Sequence, residues 1–120
     1  MRKLDISPEA FNDLESIKEY LDSEFGEKEE KKRLKAIFND LKRLQKYQET
    51  DIKLFERFGI LTDYKCIYTN HNYAFYRMED EFIKVVRILD VRRDFMYILL
   101  GIHMSSNEAD EFWDEYYSKR

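Results

Sequence analysis

Polar and apolar side chains alternate over Lys3-Leu4-Asp5-Ile6-Ser7, which predicts a short first strand. Ser7-Pro8 then opens a helix, because a serine oxygen can accept from free first-turn amides and proline has no amide to leave unpaired there. Glu9 adds a favourable first-turn charge. Phe11, Leu14, Ile17, Leu21 and Phe25 recur every three or four residues and predict one apolar stripe, ended by Gly26. A second helix is expected over about residues 27–47, with Leu34, Ile37, Phe38, Leu41 and Leu44 facing inward and the charged run 27–33 projecting beyond the core. Two amphipathic helices joined at one glycine most simply form an antiparallel hairpin that covers a sheet face.

Residues 48–59 are less regular, with Leu54, Phe55 and Phe58 as anchors for a packed loop. From Ile60 the period falls to two. Tyr64, Cys66 and Tyr68 alternate with Lys65, Ile67 and Thr69, Asn70-His71-Asn72 reads as a turn, and Tyr73 to Met78 reads as an aromatic-rich strand. After Glu79-Asp80-Glu81, the stretch Phe82 to Val91 is apolar apart from Lys84, Arg87 and Asp90, as expected of a central strand covered on both faces. Asp94 can cap a short helix that Gly101 stops, and Ser105-Ser106-Asn107 can cap a last helix carrying Phe112, Trp113, Tyr116 and Tyr117. The expected fold is α+β, in the order β-α-α-β-β-β, with a helical hairpin on a small, mainly antiparallel sheet and an additional C-terminal helix. One domain is expected, with residues 105–120 as a helical extension of the body formed by 1–104.

With 120 residues, 43% hydrophobic, 3 glycines and 1 proline, the chain can bury a real core but not two independent ones. No apolar run approaches the roughly 20 residues of a membrane span, and no signal-peptide pattern is present, so a cytoplasmic protein with no membrane partner is expected. The single cysteine, Cys66, excludes an internal disulfide and suits a reducing compartment. The net charge of -4 argues against bulk attraction to nucleic acid. The charge is unevenly spread: residues 24–46 carry 8 basic and 5 acidic groups, residues 82–104 carry 4 and 2, and residues 105–120 carry 2 and 5. An anionic partner would have to meet a local patch.

No phosphate-binding glycine loop, paired-cysteine spacing or serine nucleophile elbow occurs. Cys66, His71 and His103 have no recognised metal spacing, so neither a metal nor another cofactor is expected. The concentrated chemistry lies in Arg87-Ile88-Leu89-Asp90-Val91-Arg92-Arg93-Asp94-Phe95-Met96-Tyr97. Arginines at a strand end can grip phosphate bidentately and stabilise a pentacoordinate phosphorane. The alternative is that Arg87 pairs with Asp90 or Asp94 and the others are solvated.

The element order, the opening Ile6-Ser7-Pro8-Glu9-Ala10, the strand Tyr73-Ala74-Phe75-Tyr76-Arg77 and the run Arg87 to Asp94 together resemble the RelE/ParE superfamily of toxins from bacterial type II toxin–antitoxin systems. The resemblance covers roughly residues 3–101. It implies a cytoplasmic growth inhibitor, of the kind that stabilises plasmids, neutralised by a cognate antitoxin in a heterotetramer or accompanied by homodimerisation. RelE-like members cut mRNA on the ribosome as metal-independent endoribonucleases; ParE-like members poison DNA gyrase without being enzymes.

For RNA cleavage, the resemblance implies Arg92 as phosphate clamp, Tyr97 or Tyr73 as proton-transfer or base-stacking group and Arg87 as support. Lys53, Arg57 and Arg93 would bind substrate. The chain departs from the RelE pattern at Asp90, where many relatives have tyrosine or histidine, and at Asn72-Tyr73-Ala74, where an arginine is usual. A degenerate toxin retained for antitoxin binding is a third reading. The acidic extension, with Glu108, Asp110, Glu111, Asp114 and Glu115, is expected to lie over the basic patch or to form a core or dimer seam.

Overall fold

The computed structural model describes residues 2–46, 54–57 and 59–101. Its elements run β1 (Lys3–Ile6), α1 (Pro8–Phe25), α2 (Glu27–Arg43), α3 (Leu54–Arg57), β2 (Lys65–Thr69), β3 (Asn72–Met78), β4 (Phe82–Asp90) and α4 (Phe95–Leu100). The α+β order expected from the hydrophobic periods is thus the observed one. The expected extension at 105–120, the anchor Phe58 and the substrate residue Lys53 lie outside the described residues, as do the side chains of Leu54 and Arg57.

Ser7 performs two tasks at the start of α1. Its hydroxyl oxygen accepts from the Ala10 amide at 3.0 Å and donates to the Val86 carbonyl at 3.0 Å, while its own amide donates to Val85. The cap therefore also fixes the helix to β4. Gly26, with φ 87°, is the single residue between α1 and α2, a conformation that side chains disfavour. Thr69 in β2 donates to Asp40 of α2 at 2.7 Å, and Asp40 also pairs with Arg43, so the second helix is tied to the far edge of the sheet.

The sheet order is β1-β4-β3-β2. β1 pairs parallel with β4, and the β4–β3 and β3–β2 pairs are antiparallel. As expected, β4 is central and covered on both sides. Ala10, Leu14, Ile37, Leu41, Ala74, Tyr76, Ile83 and Ile88 form a core between sheet and hairpin. Phe55, Cys66, Tyr73, Phe75, Leu89, Phe95 and Met96 form a second core on the opposite face, beneath α3 and α4. No helix among the described residues is long and apolar enough to cross a membrane.

Two expectations about the hairpin need correction. Phe11 and Phe25, placed on the buried stripe by their spacing, are 53% and 49% exposed; Ala10 and Asp13 are buried in α1 alongside Leu14 and Leu21. A stripe broader than the sheet it covers leaves its flanks in water. Within the charged run 27–33, Glu30 is buried, so that turn does not wholly project from the body.

Candidate functional site

The most informative residue at the end of the sheet is Arg87. Between Phe75 and Tyr76 the β3–β4 register slips: Tyr76 opposes Val85, but Phe75 opposes Arg87, leaving Val86 as the extra residue of a bulge. A bulge reverses the inward–outward alternation and re-aims the side chains beyond it. Val85 faces the hairpin core before it, and Ile88 faces the same core after it. Arg87 is thereby turned toward α1, where its Nε and Nη2 donate to Asp13 Oδ2 and Oδ1 at 2.7 and 2.9 Å. The Ile88 amide donates to the same carboxylate at 2.9 Å. Donation of its hydrogen bonds to Asp13 raises the Arg87 pKa above its ordinary value, against an opposing desolvation effect. Arg87, expected as support for catalysis, fastens α1 to β4, and its partner is Asp13 rather than Asp90 or Asp94.

Beyond β4 the chain makes a tight turn in which Asp90 is the organiser. Its Oδ1 accepts from the Arg92 amide at 2.8 Å and from Arg92 Nε at 3.1 Å, and its carbonyl accepts from the Arg93 amide at 3.0 Å. Partial burial would raise the Asp90 pKa, but hydrogen bonds from the Arg92 side chain and amide, with the nearby charges of Arg92 and His71, outweigh it and hold the carboxyl below the usual carboxylate range. Asp90 is thus an ionised partner for Arg92, a poor choice for a general base at neutral pH. Arg92 itself remains largely solvent-accessible, as does Arg93.

The other expected residues are dispersed. Tyr97 is half-exposed on α4, after Asp94 caps that helix by accepting from the Tyr97 amide. Tyr73 is 1% exposed in the second core, with its ring 5.7 Å from that of Phe95 and 6.0 Å from that of Phe75. Tyr73, expected at the substrate, is placed in the second core. Arg57 ends α3. Arg92 and Arg93 stand together, whereas Arg87 and Tyr73 are drawn inward to separate structural tasks.

The structure adds residues that spacing alone does not mark. A cleft of about 520 Å³ lies between the tip of the helical hairpin and the end of the sheet. Its apolar lining includes Ile17, Leu21, Ile37, Ile88 and Val91; Tyr20, Phe25 and Arg33 border it from the hairpin, and His71, Arg92 and Arg93 from the sheet end. Asn70 and His71 carry positive φ values of 47° and 66°, the requirement of the tightest hairpin turns. The His71 carbonyl accepts from Val91, joining that turn to the end of β4. The Asn-His pair inside a turn was the available sequence signal for His71. Among the described residues no group of three or more His, Cys, Asp or Glu side chains is arranged to hold a metal.

A histidine in the left-handed region costs about 1–2 kcal/mol, partly offset in a glycine variant by greater unfolded-state freedom. His71→Gly is therefore expected to stabilise the protein by about 0.5–1 kcal/mol. A chemical denaturation midpoint that fails to rise would show that the imidazole contributes more to the turn than its backbone strain removes.

Comparison with known proteins agrees with this architecture. Among solved structures, the chromosomal ParDE TA system from P. aeruginosa contains a chain similar to this one with a TM-score of 0.63 and 18% identity, covering 76% of this chain and 97% of that one. The YoeB dimer from Staphylococcus aureus gives 0.49 and 22%, covering 73% and 94%, and the YoeB–YefM complex from the same organism gives 0.48 and 24%, covering 74% and 95%. No curated protein matches. The model of the family described as the ParE toxin of the type II toxin-antitoxin system, parDE, matches residues 4–95, from the first strand through the Arg92-Arg93 turn to the start of α4. A match that takes in the hairpin, the sheet, the first core and most of the second makes this chain a member of the ParE toxin family of type II toxin–antitoxin systems.

Proposed function

We propose that this chain arrests growth as a ligand of DNA gyrase, without catalysing a reaction, and that a cognate antitoxin neutralises it by direct binding. The observation that carries the reading is the engagement of Arg87 by Asp13, whose carboxylate also accepts from the Ile88 amide. Cleavage by ribose 2′-OH attack would need cations poised for the developing charge and groups to move protons. Of the set expected for that chemistry, Arg87 is a structural fastener, Tyr73 is sealed in a core, and Arg92 is paired with Asp90, the residue at which the chain departs from the RelE pattern. A gyrase ligand needs a binding surface, and the cleft with its aromatic and cationic border offers one. Membership of the ParE branch supports the same choice. The P. aeruginosa relative comes from a ParDE toxin–antitoxin system, and the YoeB relative has been solved with YefM, which supports a toxin–antitoxin assembly here, including a heterotetramer.

Pulse labelling after induction in bacterial cells distinguishes the targets. Thymidine incorporation is expected to stop while methionine incorporation continues, with growth restored by coexpression of a small protein encoded beside the gene. Early collapse of methionine incorporation with mRNA cut within codons would overturn the reading in favour of ribosome-dependent cleavage.

A further inference from the structure

We propose that the chain's own segment 105–120 occupies the cleft between the hairpin tip and the sheet end, as an intramolecular occupant that any external ligand of this surface must displace. The cleft has unmet apolar capacity. Tyr20 and Phe25 are 58% and 49% exposed at its border, with their rings edge to face at 6.4 Å, and the Arg33 guanidinium lies 4.2 Å from the Phe25 ring centre. Exposed aromatics and arginine around an apolar concavity are the composition of a binding hot spot.

The chemistry of the segment complements that surface. Residues 105–120 bring Phe112, Trp113, Tyr116 and Tyr117 for the apolar lining. Glu108, Asp110, Glu111, Asp114 and Glu115 interleave with them, against only Lys119 and Arg120. The facing border of the cleft presents Arg33, Arg92 and Arg93 against the acids Asp13 and Asp90; Asp13 pairs with Arg87, Asp90 with Arg92 and Arg33 with Glu29 outside the lining, so the border keeps a cationic excess. Acidic residues flanking aromatics therefore meet cations flanking an apolar floor. Reach is not limiting. The Arg92-Arg93 turn borders the cleft, and α4 follows it directly, advancing about 9 Å over six residues. From residue 102 to Phe112, the chain can span up to about 36 Å if extended. The segment lies beyond residues 4–95, the part matched by the ParE family model. Short tethering gives an intramolecular ligand a high effective concentration, so modest contacts suffice to hold it.

Trp113 is the only tryptophan, so fluorescence of the intact protein reports on this segment alone. The expected result is a blue-shifted emission protected from acrylamide, with the shift and the protection lost in Arg93→Glu and in Tyr20→Ala variants that keep the wild-type circular dichroism. Added salt should weaken protection in the same direction. A second measurement uses a Ser16→Cys, Ser118→Cys double variant, which keeps the aromatic anchors and places one thiol on the cleft lining and one on the segment, since the native Cys66 is buried. Oxidation is expected to give an intramolecular cross-link with faster migration on a non-reducing gel. Emission typical of water-exposed tryptophan in the wild type overturns the proposal, and so does protected emission indifferent to both cleft substitutions together with failure to cross-link.

Discussion

Arg87→Ala is expected to destabilise the protein by about 2–3 kcal/mol, toward the lower end for a broken buried pair because the Arg87 side chain retains 27% of its accessible surface. The substitution leaves the Asp13 carboxylate, only 10% accessible, with the Ile88 amide as its remaining donor in this cluster. Asp13→Ala should cost at least as much, since it orphans both the guanidinium and that amide. The two losses should not add. The double variant removes both charges, so a double-mutant cycle should return a coupling of about 1–2 kcal/mol between residues 74 positions apart in sequence. Urea denaturation of the four proteins measures it. A loss below about 0.5 kcal/mol for either single variant, with little coupling, would mean that the pair is dispensable and that Arg87 is available for another partner.

Tyr73→Ala is expected to cost about 4 kcal/mol, a large part of the roughly 5–15 kcal/mol that holds a domain of this size. Its ring packs edge to face on Phe95 and Phe75, and Phe75 and Phe95 in turn stand 5.7 Å apart and both contact Phe55. Truncation removes the keystone of the core that holds α3 and α4 against the sheet. Tyr73→Phe, which keeps the ring, should retain most of the stability. A base-stacking tyrosine would behave in the opposite way: Tyr73→Ala would keep the thermal transition and lose activity. The thermal midpoint of the alanine variant separates these roles.

Much of the architecture follows from local chemistry. Ser7-Pro8 marks the start of α1 because the cap depends on one side chain and its immediate neighbours. Gly26 marks the break between the helices, and Asp94 and Gly101 bracket α4 as their capping preferences require. The apolar run from Phe82 announces a strand buried on two faces. What periodicity did not disclose depends on residues distant in sequence. The bulge at Val86 reverses which face the following residues occupy, and a run apolar on both faces gives no sign of such a reversal. Asp13 sits between apolar positions of a helix and reads as solvent-facing until Arg87 is placed opposite it. The arginine run stands out in the sequence, yet its three guanidinium groups divide: Arg87 serves the fold, and Arg92 and Arg93 border the cleft. The cleft itself exists only once the hairpin tip overhangs the sheet end, so Tyr20 and Arg33 carried no local signal.

The most direct test is DNA supercoiling by purified gyrase in the presence of the purified chain and of its Arg92→Ala variant, run beside ribosomes programmed with mRNA. Both proteins are expected to block supercoiling within a few-fold of each other and to leave the mRNA intact, as the proposed role of a gyrase ligand requires of one charge at the border of the cleft. Undisturbed supercoiling together with cut mRNA, and a loss of roughly 100-fold or more in cleavage on removing Arg92, would contradict the account and restore that arginine as a transition-state clamp.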